Sequence, residues 1–239
     1  MPDEIQQSVK KVVVTVHGYA GDAHQIGDLR PMYEHHKVPI VVMTPEDSRI
    51  ETFGPHICRF GGKRQYIGED SLKRQVRHWE MMLDFNATHF LSNDSDSFCL
   101  APELPEYLFK HDVLWSNEVS DMMHKRKPDY KWPRLAFQPP YFWSREIVER
   151  LVKAAPLVQI DQQTPFIDWF VMAVAVAGGI PHKTFPDGFS CGTGFPHGLK
   201  VMTDQVWNRG KIFVHSVKNA AIRRQLEYAR GQFLKRKKK

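Results

Sequence analysis

The chain has 239 residues, with 33 lysines and arginines against 27 acids, 42% hydrophobic residues and 12% aromatics. This composition excludes a disordered chain, which could not bury enough apolar surface to offset its ordering entropy, and it excludes collagen-like and disulfide-scaffold classes. The net charge of +6 sits at one end, because residues 211–239 hold ten basic groups against one acid, Glu227, and the first 210 residues are slightly acidic; a polyanionic partner would therefore have to meet the tail.

Residues 11–16 form a β-branched run broken by Gly18 and Gly21, which predicts a buried strand and a loop. Residues 38–44 predict a second strand, stopped by Pro45. Residues 71–83 predict a helix, with Leu72, Val76, Trp79 and Leu83 on one face and Asp70 or Ser71 as its cap. Residues 88–92 predict a third strand, ending in the polar cluster 93–97. Strand, strand, helix and strand in this order predict an α/β fold with a mainly parallel sheet.

From 102 to 140 the chain is rich in proline, tryptophan and charge, without a long period. A short helix is expected over 144–154, with Ile147, Leu151 and Ala154 on one face. Thr164 and Pro165 start another helix, running to about Ala177 before Gly178 and Gly179; it is apolar nearly all round and should be buried. Residues 185–198 read as a glycine-rich loop, 211–214 as a short strand, and 220–234 as a helix with Ile222, Leu226, Ala229 and Phe233 inward. No repeat or interdomain linker interrupts this pattern.

Cys58, Cys99 and Cys191 are far apart, and no Cys-x-x-Cys pair exists. That argues against a zinc knot or a disulfide framework and for a reducing, cytoplasmic setting. The N-terminus lacks a signal-peptide pattern. The longest apolar run, residues 169–180, falls short of the ~20 residues a membrane span needs.

The sharpest chemical signal is Asp94-Ser95-Asp96, directly after an apolar strand. A turn there can bring two carboxylates together, and a hard cation such as magnesium or manganese relieves their repulsion. The same residues also suit an ordinary Asx turn. Ligands of open α/β sheets bind beyond the carboxyl ends of the strands. His17 and Tyr19 follow the first strand there, and Glu46 and Asp47 follow the second; a tyrosine can stack on a base and a carboxylate can accept from a base or ribose.

In order and spacing these features resemble the GT-A class of nucleotide-sugar glycosyltransferases, over residues 12–218. The resemblance runs from the strand at 12–16 through the acids Glu46 and Asp47 and the helix at 71–83 to the Asp-x-Asp at 94–96. It continues through residues 139–146, similar to the segment that supports the acceptor pocket, and Ile167-Asp168 at the head of the apolar helix. It ends at residues 213–218, similar to the stretch whose histidine completes the metal site and whose lysine meets the diphosphate. It implies one Rossmann-like domain with a nucleotide-binding half (1–100), an acceptor and catalytic half (101–218), and a basic C-terminal helix and tail (219–239).

The resemblance further implies that His17, Tyr19, Glu46, Asp47, Lys73, Asp94 and Lys218 bind a nucleotide-sugar donor, a UDP-sugar. It implies manganese or magnesium on Asp94, Asp96 and His215, and Asp168 as the base that deprotonates an acceptor hydroxyl, with Asp161 in reserve. A base at Asp168 implies inversion at the anomeric carbon; a retaining course stays open, because the sequence does not show which face the acceptor approaches. Lys73, Arg74 and Arg77 suit either a nucleotide or a solvated helix face. The glycine-rich stretch 188–198 would be a lid or a plain connection. The acceptor is open among glycan, lipid, small molecule and DNA; some viral enzymes put sugars on hydroxymethylated DNA bases, and a basic tail suits that acceptor by analogy. Two other classes stand beside this one: a metal-dependent nucleotidyltransferase or nuclease, and a nucleic-acid-binding domain without catalysis.

Overall fold

The computed structural model describes residues 12–17, 40–45, 56–60, 69–94, 97–99, 104–110, 112–117, 137–159, 167–185, 190–191, 213–214 and 220–237. Its centre is a seven-stranded mixed sheet made of β1 (Val12–His17), β2 (Ile40–Pro45), β3 (His56–Phe60), β4 (His89–Asp94), β6 (Leu114–Asn117), β7 (Gln138–Ser144) and β8 (His182–Thr184). The strand order is β3-β2-β1-β4-β7-β6-β8. Four of the six pairings are parallel; those flanking β7 are antiparallel. A small second sheet joins β5 (Phe98–Cys99), β9 (Ser190–Cys191) and β10 (Phe213–Val214) in the order β5-β10-β9.

The α/β class is as the sequence predicts, and β1 and β4 lie side by side at its centre, buried over Val12–Val16 and over Phe90–Asn93. Side chains alternate across the sheet. Val12, Val14, Val16 and Leu91 belong to one core cluster, with Leu108, Trp115 and Phe142. Val13 and Phe90 belong to the other, with Tyr141, Trp143 and the helices α1 (Glu69–Leu83), α2 (Arg145–Ala154) and α3 (Ile167–Ala177). The described parts of these three helices thus cover one face, and a 3-10 segment, Glu106–Lys110, lies against the other.

Helix α1 buries Leu72 and Trp79 as its spacing requires, with Val76 and Leu83 packed at the margin. It begins at Glu69, so Asp70 and Ser71 lie inside its first turn rather than at the cap. Trp79 meets Trp143 edge-on (centroids 6.3 Å) and stacks on Phe170 (6.0 Å), joining α1, β7 and α3 through aromatic contacts worth about 0.5–1.5 kcal/mol each beyond their area. Helix α2 starts one residue later than the expected 144, with Ser144 as its cap: its Oγ accepts from the Ile147 N–H at 3.3 Å.

Helix α3 is buried on most sides, through Trp169, Phe170, Val171, Met172, Val174 and Ala175. It ends in a Schellman arrangement: Ile180 N–H donates to the Ala175 carbonyl at 2.8 Å and Gly179 N–H to Val176 at 3.1 Å. Gly179 has φ +58°, the left-handed conformation that favours glycine.

Strands β3, β5, β6, β8 and β9 go beyond the sequence reading, as does β7 as a strand, since residues 139–146 carry Pro139 and Pro140. Proline lacks the ladder N–H and is rare in central strands. Here β4 pairs only with residues 141–144, and the β6 ladder shifts register between Trp115 and Asn117, so both prolines fall between the regular pairings. Ser190–Cys191 pairs with β10 inside the stretch expected to be loop throughout.

The last helix, α4 (Ala220–Lys237), runs three residues beyond its expected end at 234. Its inward face is rotated from the expected one: Leu226 is buried, Ile222 is half-buried and Arg223 is buried. The side chains of Ala229 and Phe233 lie outside the described residues. No helix among the described residues is long and apolar enough to cross a membrane.

Candidate functional site

The parallel register aligns the carboxyl ends of the central strands. His17 pairs with Met43 of β2 on one side and with Asp94 of β4 on the other. The sheet therefore brings two of the expected rim residues, His17 and Asp94, next to each other. Glu46 and Asp47 follow β2 directly; with Tyr19, Ser95, Asp96, Asp161, His215 and Lys218 they lie outside the described residues, as do most of 188–198.

Asp94 is half-buried. By alternation it shares its sheet face with Ser92 and Phe90. Ser92 is paired with Tyr141 of β7, so Tyr141 stands on the same face, one pleat from Asp94. Helix α3 packs on that face and brings Asp168 in its first turn. The Tyr141 hydroxyl lies 3.1 Å from Asp168 Oδ1 and 2.9 Å from the Phe137 carbonyl, both acceptors for its single proton. The backbone closes the same joint, with Phe137 N–H donating to the Asp168 carbonyl at 3.3 Å.

The phenol of Tyr141 is held well above its ordinary value of 10.0, first by burial, then by the negative charges of Asp168 and Asp94, and by its bond to Asp168. Both carboxylates thus act on one buried phenol. This joins residues 74 positions apart in the chain into one cluster of Asp94, Tyr141 and Asp168. The cluster lies where the carboxyl end of β4 meets the first turn of α3. The helix end favours negative charge at Asp168, as does the donated phenolic hydrogen bond.

Sequence reasoning points to Asp94 and Asp168 but does not single out Tyr141. The available signal is a tyrosine inside an aromatic run, since a buried tyrosine must find a hydrogen-bond partner. Lys73 is exposed and paired with Glu69 at 2.6 Å on the outer face of α1; Arg77 pairs there with Glu80 at 3.0 Å. These two sit on a solvated face.

Two polar side chains flank the acidic turn: Asn93, 1% exposed, and Ser97, fully buried. Among the described residues neither the Asn93 amide nor the Ser97 hydroxyl has a hydrogen-bond partner. The turn itself is closed by Ser97 N–H donating to the Asp94 carbonyl at 3.1 Å. Carboxylate oxygen at this rim is the donor chemistry that hard divalent cations take. Among the described residues no three histidine, cysteine or acidic side chains come together as a metal site, so the fit rests on Asp94. A groove of about 820 Å³, lined by Asp84, His89, Asp112, Ser144 and Arg145 among others, opens at the opposite end of β4 and is separate from this cluster.

No family model matches the chain, and no curated protein matches it. Among solved structures it is similar to the apo form of WbbM, a bifunctional glycosyltransferase. The identity is 11% and the TM-score 0.49, over 88% of this chain and 46% of that one. The chain spans about half the length of that neighbour.

Proposed function

We propose that the chain is a glycosyltransferase of the GT-A kind, moving a sugar from a nucleotide-diphosphate donor, a UDP-sugar, to an acceptor hydroxyl. The observation that carries this reading is the placement of two carboxylates about Tyr141 at the carboxyl rim of the sheet: Asp168 accepts its hydroxyl, and Asp94 stands one pleat away on the same face. The rim is where open α/β sheets hold their ligands. Two carboxylates there have separate tasks: one beside the donor, one poised to take a proton.

In this reading Asp94, Asp96 and His215 hold manganese or magnesium, which supplies charge neutralisation for the departing diphosphate. His17, Tyr19, Glu46, Asp47 and Lys218 contribute to donor binding, while Lys73, paired with Glu69 on the solvated face of α1, is left out of it. Asp168 accepts the proton of the acceptor hydroxyl as that oxygen attacks the anomeric carbon, and configuration inverts. Tyr141, neutral across the working pH range, holds the Asp168 carboxylate in place through its O–H. The chain would work as one domain in the cytoplasm. Its basic end, with Lys235 exposed, supports an anionic acceptor, and a hydroxymethylated base in DNA is the acceptor proposed first. A glycan, lipid or small molecule is the alternative.

The test is a donor-hydrolysis screen over several nucleotide sugars with manganese or magnesium, followed by an acceptor screen that includes hydroxymethylpyrimidine DNA. The expected result is cation-dependent release of UDP from one UDP-sugar, abolished in Asp96→Ala. Full activity of that variant in EDTA, or DNA cleavage without sugar transfer, would overturn the reading.

A further inference from the structure

Two arginines of α4 are committed to the strand that leaves the acidic turn. Arg223, Leu226 and Arg230 are spaced i, i+3 and i+7, and so share one helix face. Leu226 is fully buried and Arg223 is 5% exposed. Arg223 Nη2 donates to the Ser97 carbonyl at 3.3 Å, and Arg230 Nη1 donates to the Cys99 carbonyl at 2.9 Å. Between these carbonyls lies Phe98, fully buried, with the Arg223 and Arg230 guanidiniums 5.9 and 4.8 Å from its ring centroid.

The arrangement has a mechanical consequence. Ser97 is tied to Asp94 by the backbone bond that closes the turn. Holding Ser97 therefore holds the backbone of Asp94. The turn gains from such a hold, because the side chains of Asn93 and Ser97 are buried beside it with no partner among the described residues, and that desolvation favours opening. Charged donors on carbonyls make stronger bonds than neutral ones, and both guanidiniums gain further from the face of Phe98.

We propose that Arg223 and Arg230 are positioning residues for Asp94, clamping residues 97–99 so that the acidic turn keeps its place at the sheet rim. The proposal rests on the reading of Asp94 as a donor-site carboxylate. It also assigns two of the tail's basic residues to the fold, leaving the polyanion contact proposed above to Arg224 and the residues that follow.

The test measures amide hydrogen exchange and manganese binding on the full chain, the latter by electron paramagnetic resonance of free manganese. The variants are Arg223→Gln, Arg230→Gln, Asp94→Asn and, as a stability control in α2, Val148→Ala. Arg230 is half-buried, so its variant keeps the fold even if Arg223→Gln does not. Removing either clamp bond is expected to speed exchange at the Ser97 amide about tenfold while α2 amides keep their rates. Manganese affinity should fall about three- to tenfold. Val148→Ala should lower the melting temperature and leave both readouts unchanged. Unaltered Ser97 exchange in the foldable arginine variants, or equal acceleration in Val148→Ala, would overturn the proposal. Manganese binding that Asp94→Asn leaves intact would instead remove the metal reading, with Ser97 exchange still deciding the clamp.

Discussion

The hydroxyl of Tyr141 sits 3.1 Å from Asp168 Oδ1, and this bond joins the sheet to the first turn of α3. Tyr141→Phe keeps the ring, its stack on Trp143 at 5.1 Å and the packing, and removes only the donor. Turnover should fall about tenfold, the worth of one hydrogen bond to a charged group, with donor affinity unchanged. The same tyrosine sets an alkaline limit on stability. Its folded-state value is raised above the 10.0 of the unfolded chain, so the unfolded chain loses its proton first. The contribution is complete below pH 10 and is lost as pH rises toward the folded value. Melts from pH 8 to 11 should show wild type losing more stability than Tyr141→Phe over the alkaline part; parallel curves would contradict this.

Asp168→Asn preserves shape and removes the proposed base. Turnover should drop on the order of 10²–10⁴ while UDP binding stays within about twofold. Steady-state kinetics beside calorimetry separates the two effects. An unchanged rate would move the base elsewhere, with Asp161 the next candidate.

The end of α3 is sensitive to small changes. A Cβ on Gly178 would lie 2.8 Å from the Ala154 Cβ of α2, so Gly178→Ala must push the two helices apart. The expected cost is about 1–3 kcal/mol. Gly179→Ala meets no neighbour but must adopt φ +58°, costing about 1 kcal/mol. Denaturant melts should rank Gly178→Ala below Gly179→Ala; the reverse order would show that helix separation is cheap here.

How much of the site is legible in the sequence depends on the length of each local signal. Short runs rich in β-branched and apolar residues reveal β1, β2 and β4, 3.6-residue spacing reveals α1 and α2, and an apolar stretch ending at Gly178 and Gly179 reveals α3. Asp94 and Asp168 are legible because each adjoins such an element. Strands β5 and β9 have two residues each, so neighbouring ladders rather than propensity define them. Strand β7 is hidden by Pro139 and Pro140, and with it Tyr141, the residue that bonds Asp168 and shares a sheet face with Asp94. The face of α4 differs from its apolar pattern because an arginine takes an inward position. Arg223 buries its apolar stem and finds a carbonyl and an aromatic ring for its head.

The basic end offers a test of the acceptor. Helix α4 extends to Lys237, and Arg223 and Arg230 are engaged with β5 and the residue before it, so nucleic-acid binding would fall to the exposed Arg224 and the last residues. Deleting 235–239 should weaken DNA binding and flatten its salt dependence by about 0.9 in log–log slope for each phosphate that the tail neutralises. UDP affinity should not change. Identical affinity and slope in the truncated chain would remove DNA as the acceptor and favour a glycan or small molecule.

The central claim is that Asp94 stands in a cation-dependent nucleotide site facing Asp168. Calorimetric titration of UDP into wild type and Asp94→Asn, each with manganese and with EDTA, tests it most directly. Binding should appear only in wild type with manganese. Binding that survives EDTA and Asp94→Asn, or DNA binding with no UDP binding under any condition, would contradict it.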